Sequence, residues 1–221
     1  MTTAKACERK GAFISFEGGE GSGKTTQLRL LDAALLDRRT TTREPGGTPF
    51  AEAVRDALLG GAIAPFGTEA EAVAFAAARA DHVRRLIRPR LNEGETVLCD
   101  RYIDSSRAYQ RDAGAIVEPL QRVAINDTVP DLTLIFDLDP ELGRERVRAR
   151  DGALDRFEGS ALTELHRRRA EFLAIAAREP NRCVVIDATG DAQAIHSRVV
   201  DVVRTRLPQL ALVENRTQQH G

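Results

Sequence analysis

Five short apolar runs alternating with helix-patterned stretches predict an α/β fold, a parallel sheet flanked by helices on both faces. Two observations carry that prediction. The runs are continuously apolar, as strands buried on both faces require. The first run also ends in a glycine-rich turn that opens directly onto helically spaced leucines. No internal repeat and no long linker interrupts the 221 residues. A single domain over 1–221 is therefore expected, with a core of about 12–207 and a polar tail at 214–221.

The elements follow in order. Residues 12–17, AFISFE, read as the first strand. Leucines at 28, 31 and 35 give residues 24–38 a helical face. Residues 40–43, TTTR, form a second strand, closed by Pro45-Gly46-Gly47. Residues 49–59 and 68–91 read as helices, the second long and alanine-rich. TVLC at 96–99 is a buried strand, followed by helical patterns over 104–110 and 116–127. LTLIFDL at 132–138 is the strongest strand signal in the chain. Arginine-rich helices are expected over 140–150 and 158–178, CVVID at 183–187 as a last strand, and a closing helix over 191–206.

Composition narrows the function. Acidic and basic residues number 33 and 32, a net charge of −1, which gives no case for nonspecific binding to nucleic acid or a membrane surface. Cys7, Cys99 and Cys183 form no close pair, and with four scattered histidines neither a disulfide framework nor a structural zinc site is expected. The polar start MTTAKACERK lacks the apolar segment of a secretory signal. The longest apolar run, Ala72–Ala78, falls far short of a membrane span. A cytoplasmic location is the expectation.

Gly18-Gly19-Glu20-Gly21-Ser22-Gly23-Lys24-Thr25 fits G-x-x-x-x-G-K-[ST], with a strand before it and a helix after it. Glycines let backbone N–H groups curl around phosphate oxygens, and the following helix points its positive end at them. Lys24 is expected to reach the β and γ phosphates of a nucleotide such as ATP, and Thr25 to ligate Mg²⁺. Lys24 is also the only lysine after residue 10. The guanine-reading N-K-x-D motif of regulatory GTPases needs a further lysine, so that class drops out.

Three clusters bear on what receives the phosphate. Thr42-Arg43-Glu44-Pro45-Gly46-Gly47-Thr48 is either a rigid wall for a small polar ligand or an ordinary turn with a solvated ion pair. Phe75 and Arg79 share one helix face at i,i+4. They offer a stacking ring and guanidinium donors, or else a core phenylalanine beside a surface arginine. Asp100-Arg101-Tyr102, followed by Ser105-Ser106 and Tyr109-Gln110, starts at the carboxyl end of a strand, where open α/β sheets bind ligands. Arg101 there suits a phosphate, and Gln110 can both donate to and accept from a base edge.

In order, FEGGEGSGKTTQ, TREPGGT, FAAARADHV, DRYIDSSRAYQ, PDLTLIFDLDPE, LDRFE and VVIDA resemble the thymidylate kinase family of P-loop nucleoside-monophosphate kinases. The likeness runs from about Phe13 to about Thr189. It implies a P-loop NTPase three-layer sandwich with a five-stranded parallel sheet, and phosphorylation of dTMP to dTDP by ATP with Mg²⁺. Gly18 to Thr25 would hold the ATP phosphates, with Glu20 also approaching the sugar 3′-hydroxyl of dTMP. Phe75 would stack on thymine, and Arg79 would contact its edge. Arg101 would hold the dTMP phosphate. Ser105, Ser106, Tyr109 and Gln110 would line base and sugar, and Pro45 would form part of the acceptor wall. Asp100, with Thr25, would place Mg²⁺. A homodimer is implied, through a helix face the sequence does not single out.

The resemblance further implies a lid at about 144–158, dense in arginine at 144, 146, 148, 150 and 156. Its bland alternative is a solvated helix face. The P-loop variable positions carry no arginine, so charge on the transferring phosphoryl group falls to Lys24, Mg²⁺ and the lid. Arg150 is the first candidate and Arg148 the second, with Asp155-Arg156-Phe157-Glu158 closing the segment. Two departures stand out: Arg111-Asp112-Ala113-Gly114-Ala115 replaces a glycine-rich stretch common in relatives, and Asp151-Gly152 lengthens the lid by one residue. The rival readings are a kinase for another nucleotide such as dUMP and a regulatory ATPase module.

Overall fold

A computed structural model of the chain describes residues 11–151 and 161–213. Among them, β1 (Phe13–Gly18), β2 (Arg39–Arg43), β3 (Thr96–Asp100), β4 (Leu132–Asp137) and β5 (Cys183–Asp187) form one sheet in the order β2-β3-β1-β4-β5. Every pairing is parallel. β1 lies at the centre and is buried along its whole length, Ser15 and Glu17 included. β2 is an edge strand with alternating exposure, and its threonines and arginines suit one wet side.

The helices are α1 (Lys24–Ala34), α2 (Pro49–Leu59), α3 (Thr68–His82), α4 (Arg88–Asn92), α5 (Ile103–Tyr109), α6 (Val117–Ile125), α7 (Pro140–Asp151), α8 (Leu162–Arg178) and α9 (Ala192–Arg206). Side-chain alternation divides the core between the two sheet faces. Ile14, Phe16, Leu134, Phe136 and Ile186 meet Leu28 and Leu31 of α1 and Val199 and Val203 of α9. On the other face Phe13, Val97 and Cys99 pack with Val83, Ile87, Tyr102 and Ile125. Ile135 and Cys183 pack there with Phe172 and Ile175 of α8.

Boundaries differ from the sequence reading in instructive places. The first helix stops at Ala34, because Leu35 turns extended and bridges Leu212. The long helix runs on to Asn92 but widens into a π turn at Val83–Ile87 between α3 and α4. Pro89 has no N–H to return to the preceding turn, and the widened turn lies just ahead of it. The stretch Arg111–Ile116 is a 3₁₀ turn with Gly114 at φ 66°. α6 ends where Asn126 and Asp127 take positive φ.

Residues 1–10, residues 152–158 of the expected lid with Asp155 to Glu158, and the tail from 214 lie outside the described residues. So does the side chain of Arg150.

Candidate active site

The phosphate cradle is the β1–α1 turn. Lys24 is buried, and its Nζ donates to the Gly19 carbonyl at 2.6 Å. The Ser22 hydroxyl donates to the same oxygen at 2.8 Å. Burial, with Arg101 adding to it, lowers the Lys24 pKa to about 8. A phosphate anion beside the ammonium acts in the opposite sense. Gly21 has φ 69°, and a Cβ there would lie 2.1 Å from the carbonyl oxygen of Gly143 in α7. A Cβ on Gly143 would in turn lie 2.4 Å from the Glu20 carbonyl oxygen. The P-loop and the first turns of α7 therefore meet backbone to backbone, which only glycine permits.

At the mouth of the cradle the Thr25 hydroxyl donates to Asp100 Oδ2 at 2.5 Å. Asp100 closes β3, and the β1–β3 pairing sets it beside α1. A hydroxyl and a carboxylate are the hard oxygen donors Mg²⁺ takes when its other positions go to water and phosphate. No cluster of three or more His, Cys, Asp or Glu occurs among the described residues.

Arg101 follows Asp100 at φ 68°, a left-handed turn that swings its side chain toward the P-loop. Its guanidinium meets Glu20 Oε1 at 2.5 Å, the Gly18 carbonyl at 3.1 Å and the Ser105 hydroxyl at 3.2 Å. It also lies 5.0 Å from the centre of the Tyr109 ring. The Tyr109 hydroxyl donates to the same Glu20 oxygen at 2.9 Å. Burial opposes a charge on Glu20, but Arg101, Lys24 and the Tyr109 hydroxyl outweigh it and hold the carboxyl down to about 2. Arg168 of α8 covers the Tyr109 ring at 4.4 Å.

Arg79 is neither a surface arginine nor a free reader. It is buried, and its guanidinium bonds Glu44 Oε2 at 2.6 Å, Ser106 Oγ and the Tyr102 carbonyl at 2.9 Å, and Gln121. Glu44 also meets His82 Nδ1 at 2.9 Å, and His82 Nε2 meets Thr42. Burial works against the Glu44 charge, yet Arg79 and His82 lower its pKa. Gly47, at φ 86°, lies so close that a Cβ would meet His82 Nε2 and Thr42 Oγ1 at 2.5 Å. The TREPGGT segment is thus bolted to α3. Its Glu44–Pro45 peptide is cis, and the Pro45 carbonyl accepts from Arg55 of α2 at 2.8 Å.

One cleft of about 600 Å³ joins these parts. Gly21, Gly23, Lys24 and Thr25 line it on the cradle side, with Glu20 and Asp100 beside them. Pro45, Phe75, Arg79, Arg101, Ser105, Ser106, Tyr109 and Gln110 line the remainder. Gln110 is buried and its Oε1 has no hydrogen-bond partner among the described residues, an acceptor suited to a ligand N–H. Of the lid arginines, Arg146 lines the cleft and bonds the carbonyls of Ala188 at 3.1 Å and Gly190 at 3.3 Å. Arg148 is exposed on α7 and is not in the cleft lining.

Sequence reasoning missed Arg55 and the β5–α9 turn as cleft walls, the Gly21–Gly143 contact, and Glu17. Only Glu17 left a trace, as a lone carboxylate at the end of an otherwise apolar strand.

A P-loop at the carboxyl edge of a parallel sheet, opening onto a chamber walled by half-buried aromatics and a buried arginine, defines a nucleotide-dependent phosphotransferase. The thymidylate kinase family model matches residues 16–199. A thymidylate kinase of Bradyrhizobium sp. is 49% identical over 207 residues, 90% of this chain and 92% of that one. One from Rhodopseudomonas palustris is 51% identical over 209 residues, 90% of each chain. The crystal structure of thymidylate kinase from Ehrlichia chaffeensis superposes with a TM-score of 0.70 at 32% identity, over 87% of this chain and 98% of that one. The chain belongs to the thymidylate kinase family, whose activity is that of a nucleoside-monophosphate kinase.

Proposed function

We propose that this chain transfers the γ-phosphoryl group of ATP to dTMP, giving dTDP and ADP. The observation that carries the reading is the continuity of one cleft from the P-loop lysine to the Phe75, Arg79 and Gln110 wall. A phosphate oxygen of dTMP forms the new P–O bond as the bond from the γ-phosphorus to the β–γ bridging oxygen breaks, and that electron pair leaves with ADP. The acceptor phosphate is already anionic, so no general base is required, and catalysis is positioning plus electrostatics.

Gly18, Gly19, Gly21, Ser22 and Gly23 cradle the donor phosphates, and Lys24 neutralises the charge that builds between β and γ. Arg101 holds the acceptor phosphate, leaving Glu20 near the sugar 3′-hydroxyl. Phe75 stacks on thymine, while Arg79 and Gln110 meet its polar edge. Ser105, Ser106, Tyr109 and Pro45 shape the remaining wall. Thr25 and Asp100 hold Mg²⁺, which when bound neutralises phosphate charge. The lid arginines Arg148 and Arg150 close over the transferring group, and Arg146 already lies in the cleft lining.

The assay is coupled ADP release with ATP, Mg²⁺ and, in turn, dTMP, dUMP, dCMP, AMP, thymidine or no acceptor. Strong turnover with dTMP and little without acceptor is the expected result. Acceptor-independent hydrolysis unchanged by dTMP refutes the reading.

The working unit is a homodimer formed through α2, α3 and α6, which pack side by side. They leave Phe50, Val73 and Val123 exposed, Val123 by 79%. Light scattering of the wild type and of Val123→Glu tests this: a wild-type monomer sinks it. Substrates that are phosphorylated anions support a cytoplasmic location. No described helix is long and apolar enough to cross a membrane.

A further inference from the structure

Glu17 is the last residue before the P-loop glycines and is fully buried on the face of β1 toward α5. Buried carboxylates are rare unless they are satisfied. Its two oxygens reach the β3–α5 turn: Oε1 accepts from the Tyr102 N–H at 2.7 Å, and Oε2 accepts from the Ser105 hydroxyl at 2.6 Å. With the carboxyl ionised, the Ser105 proton is committed to Glu17. That commitment leaves a lone pair on the hydroxyl oxygen facing Arg101, 3.2 Å away. A guanidinium has no acceptor of its own, so this bond exists only while the serine proton points at Glu17.

We propose that Glu17 is a positioning residue for the acceptor-phosphate arginine, fixing the direction of the Ser105 hydroxyl so that it accepts from Arg101. The inference rests on the reading of Arg101 as the clamp on the dTMP phosphate. Arg101 has two further hydrogen-bond anchors, the Gly18 carbonyl and Glu20. Both belong to the P-loop. Glu17 supplies, through Ser105, the hydrogen-bond anchor on the α5 side, where the Tyr109 ring also lies against the guanidinium. The guanidinium is thereby held between the donor cradle and the acceptor wall.

An isosteric change reverses the relay without opening a cavity. In Glu17→Gln the Tyr102 N–H still requires the amide oxygen, so the amide NH₂ faces Ser105. The serine oxygen then accepts from Gln, its proton loses the acceptor that held it away from Arg101, and the hydroxyl is no longer fixed as an acceptor for the guanidinium. Losing one hydrogen bond to a charged group predicts a rise in KM for dTMP of about tenfold. The expected KM for ATP stays within twofold. Ser105→Ala removes the relay by another route, so adding Glu17→Gln to it is expected to change KM little further.

The experiment measures steady-state KM for dTMP and for ATP at pH 8.5, with thermal unfolding alongside, for the wild type, Glu17→Gln, Ser105→Ala, the double variant and Arg101→Ala. A selective rise for dTMP in Glu17→Gln, non-additive with Ser105→Ala, supports the inference. A purely space-filling role would shift Tm and leave the ratio of the two KM values unchanged, and that result overturns it. If Arg101→Ala raises KM for dTMP while Glu17→Gln does not, the Glu17 inference fails alone. If Arg101→Ala leaves KM for dTMP unchanged, the clamp reading fails, and the inference with it. Should Glu17→Gln not fold, Glu17→Asp carries the same prediction, because the shorter carboxylate keeps its charge but no longer spans both partners.

Discussion

Replacing Gly143 with alanine tests whether α7 and the P-loop act as one rigid piece. The new methyl would sit 2.4 Å from the Glu20 carbonyl oxygen, about 1 Å inside ordinary contact. Neither side can yield cheaply. The P-loop is tied through Lys24 and Ser22 to Gly19, and α7 is tied through Arg146 to the Ala188 and Gly190 carbonyls. A displacement of about 1 Å in a group that positions substrate costs on the order of 10²-fold in rate, or about 2.7 kcal/mol in the transition state. Alanine is also the better helix former by about 1 kcal/mol, which offsets part of the strain in overall stability. The expected result is kcat/KM for ATP lowered by about 30–100-fold with Tm nearly unchanged. Turnover within threefold of the wild type would show that the contact carries no positional information.

The other expectations concern the frame around the site. Arg182 forms a two-pronged pair with the buried Asp104 at 2.7 and 3.0 Å, so Arg182→Ala, which leaves that carboxylate with Arg107 at 3.0 Å as its remaining charged partner, is expected to cost about 2 kcal/mol in urea unfolding. Arg146→Ala is expected to raise KM for ATP several-fold and leave KM for dTMP unchanged. Among the other lid arginines, any that acts on the transferring group lowers kcat instead, so single-turnover rates of Arg148→Ala and Arg150→Ala separate the two roles. Burial first, then Asp104, pushes the Glu17 carboxyl up from 4.5 to about 7. The folded state therefore holds the Glu17 proton more tightly than the unfolded one, and stability falls by up to about 3 kcal/mol as pH rises from about 4.5 to about 7. Glu17→Gln removes that slope, read as Tm against pH, whereas Glu20, held low, contributes only the opposite loss below about pH 4.5.

The elements that sequence placed well are those whose signal is local. β1, β4 and β5 are apolar runs bounded by polar turns, and α2 begins at Thr48 with Pro49 in its first turn, a cap and a helix start readable from two letters. The P-loop was legible because its glycines answer to backbone geometry within eight residues. Arg79 was not. As an i,i+4 partner of Phe75 it reads on its own as a surface side chain, because the Glu44 and Gln121 that bury it lie 35 and 42 residues away. Glu17 likewise depends on a turn 85 residues further on. The end of α1 was misjudged for the same reason, since Leu35 follows Leu212 rather than its own periodicity. The preference for Arg148 over Arg146 rested on motif likeness, which says nothing about which side of α7 faces the cleft.

The central strand has no neighbour close in sequence. Phe13 lies beside Val97, and Gly18 beside Phe136, so β1 waits for strands made more than 80 and more than 110 residues later. Such distant pairings are slow to close. On the ribosome, β1 emerges before both of its partners and is among the last segments to be seated. A nascent chain cut short before β4 therefore carries every letter of the phosphate motif but lacks the β1–β4 pairing and the α7 contact that brace the loop.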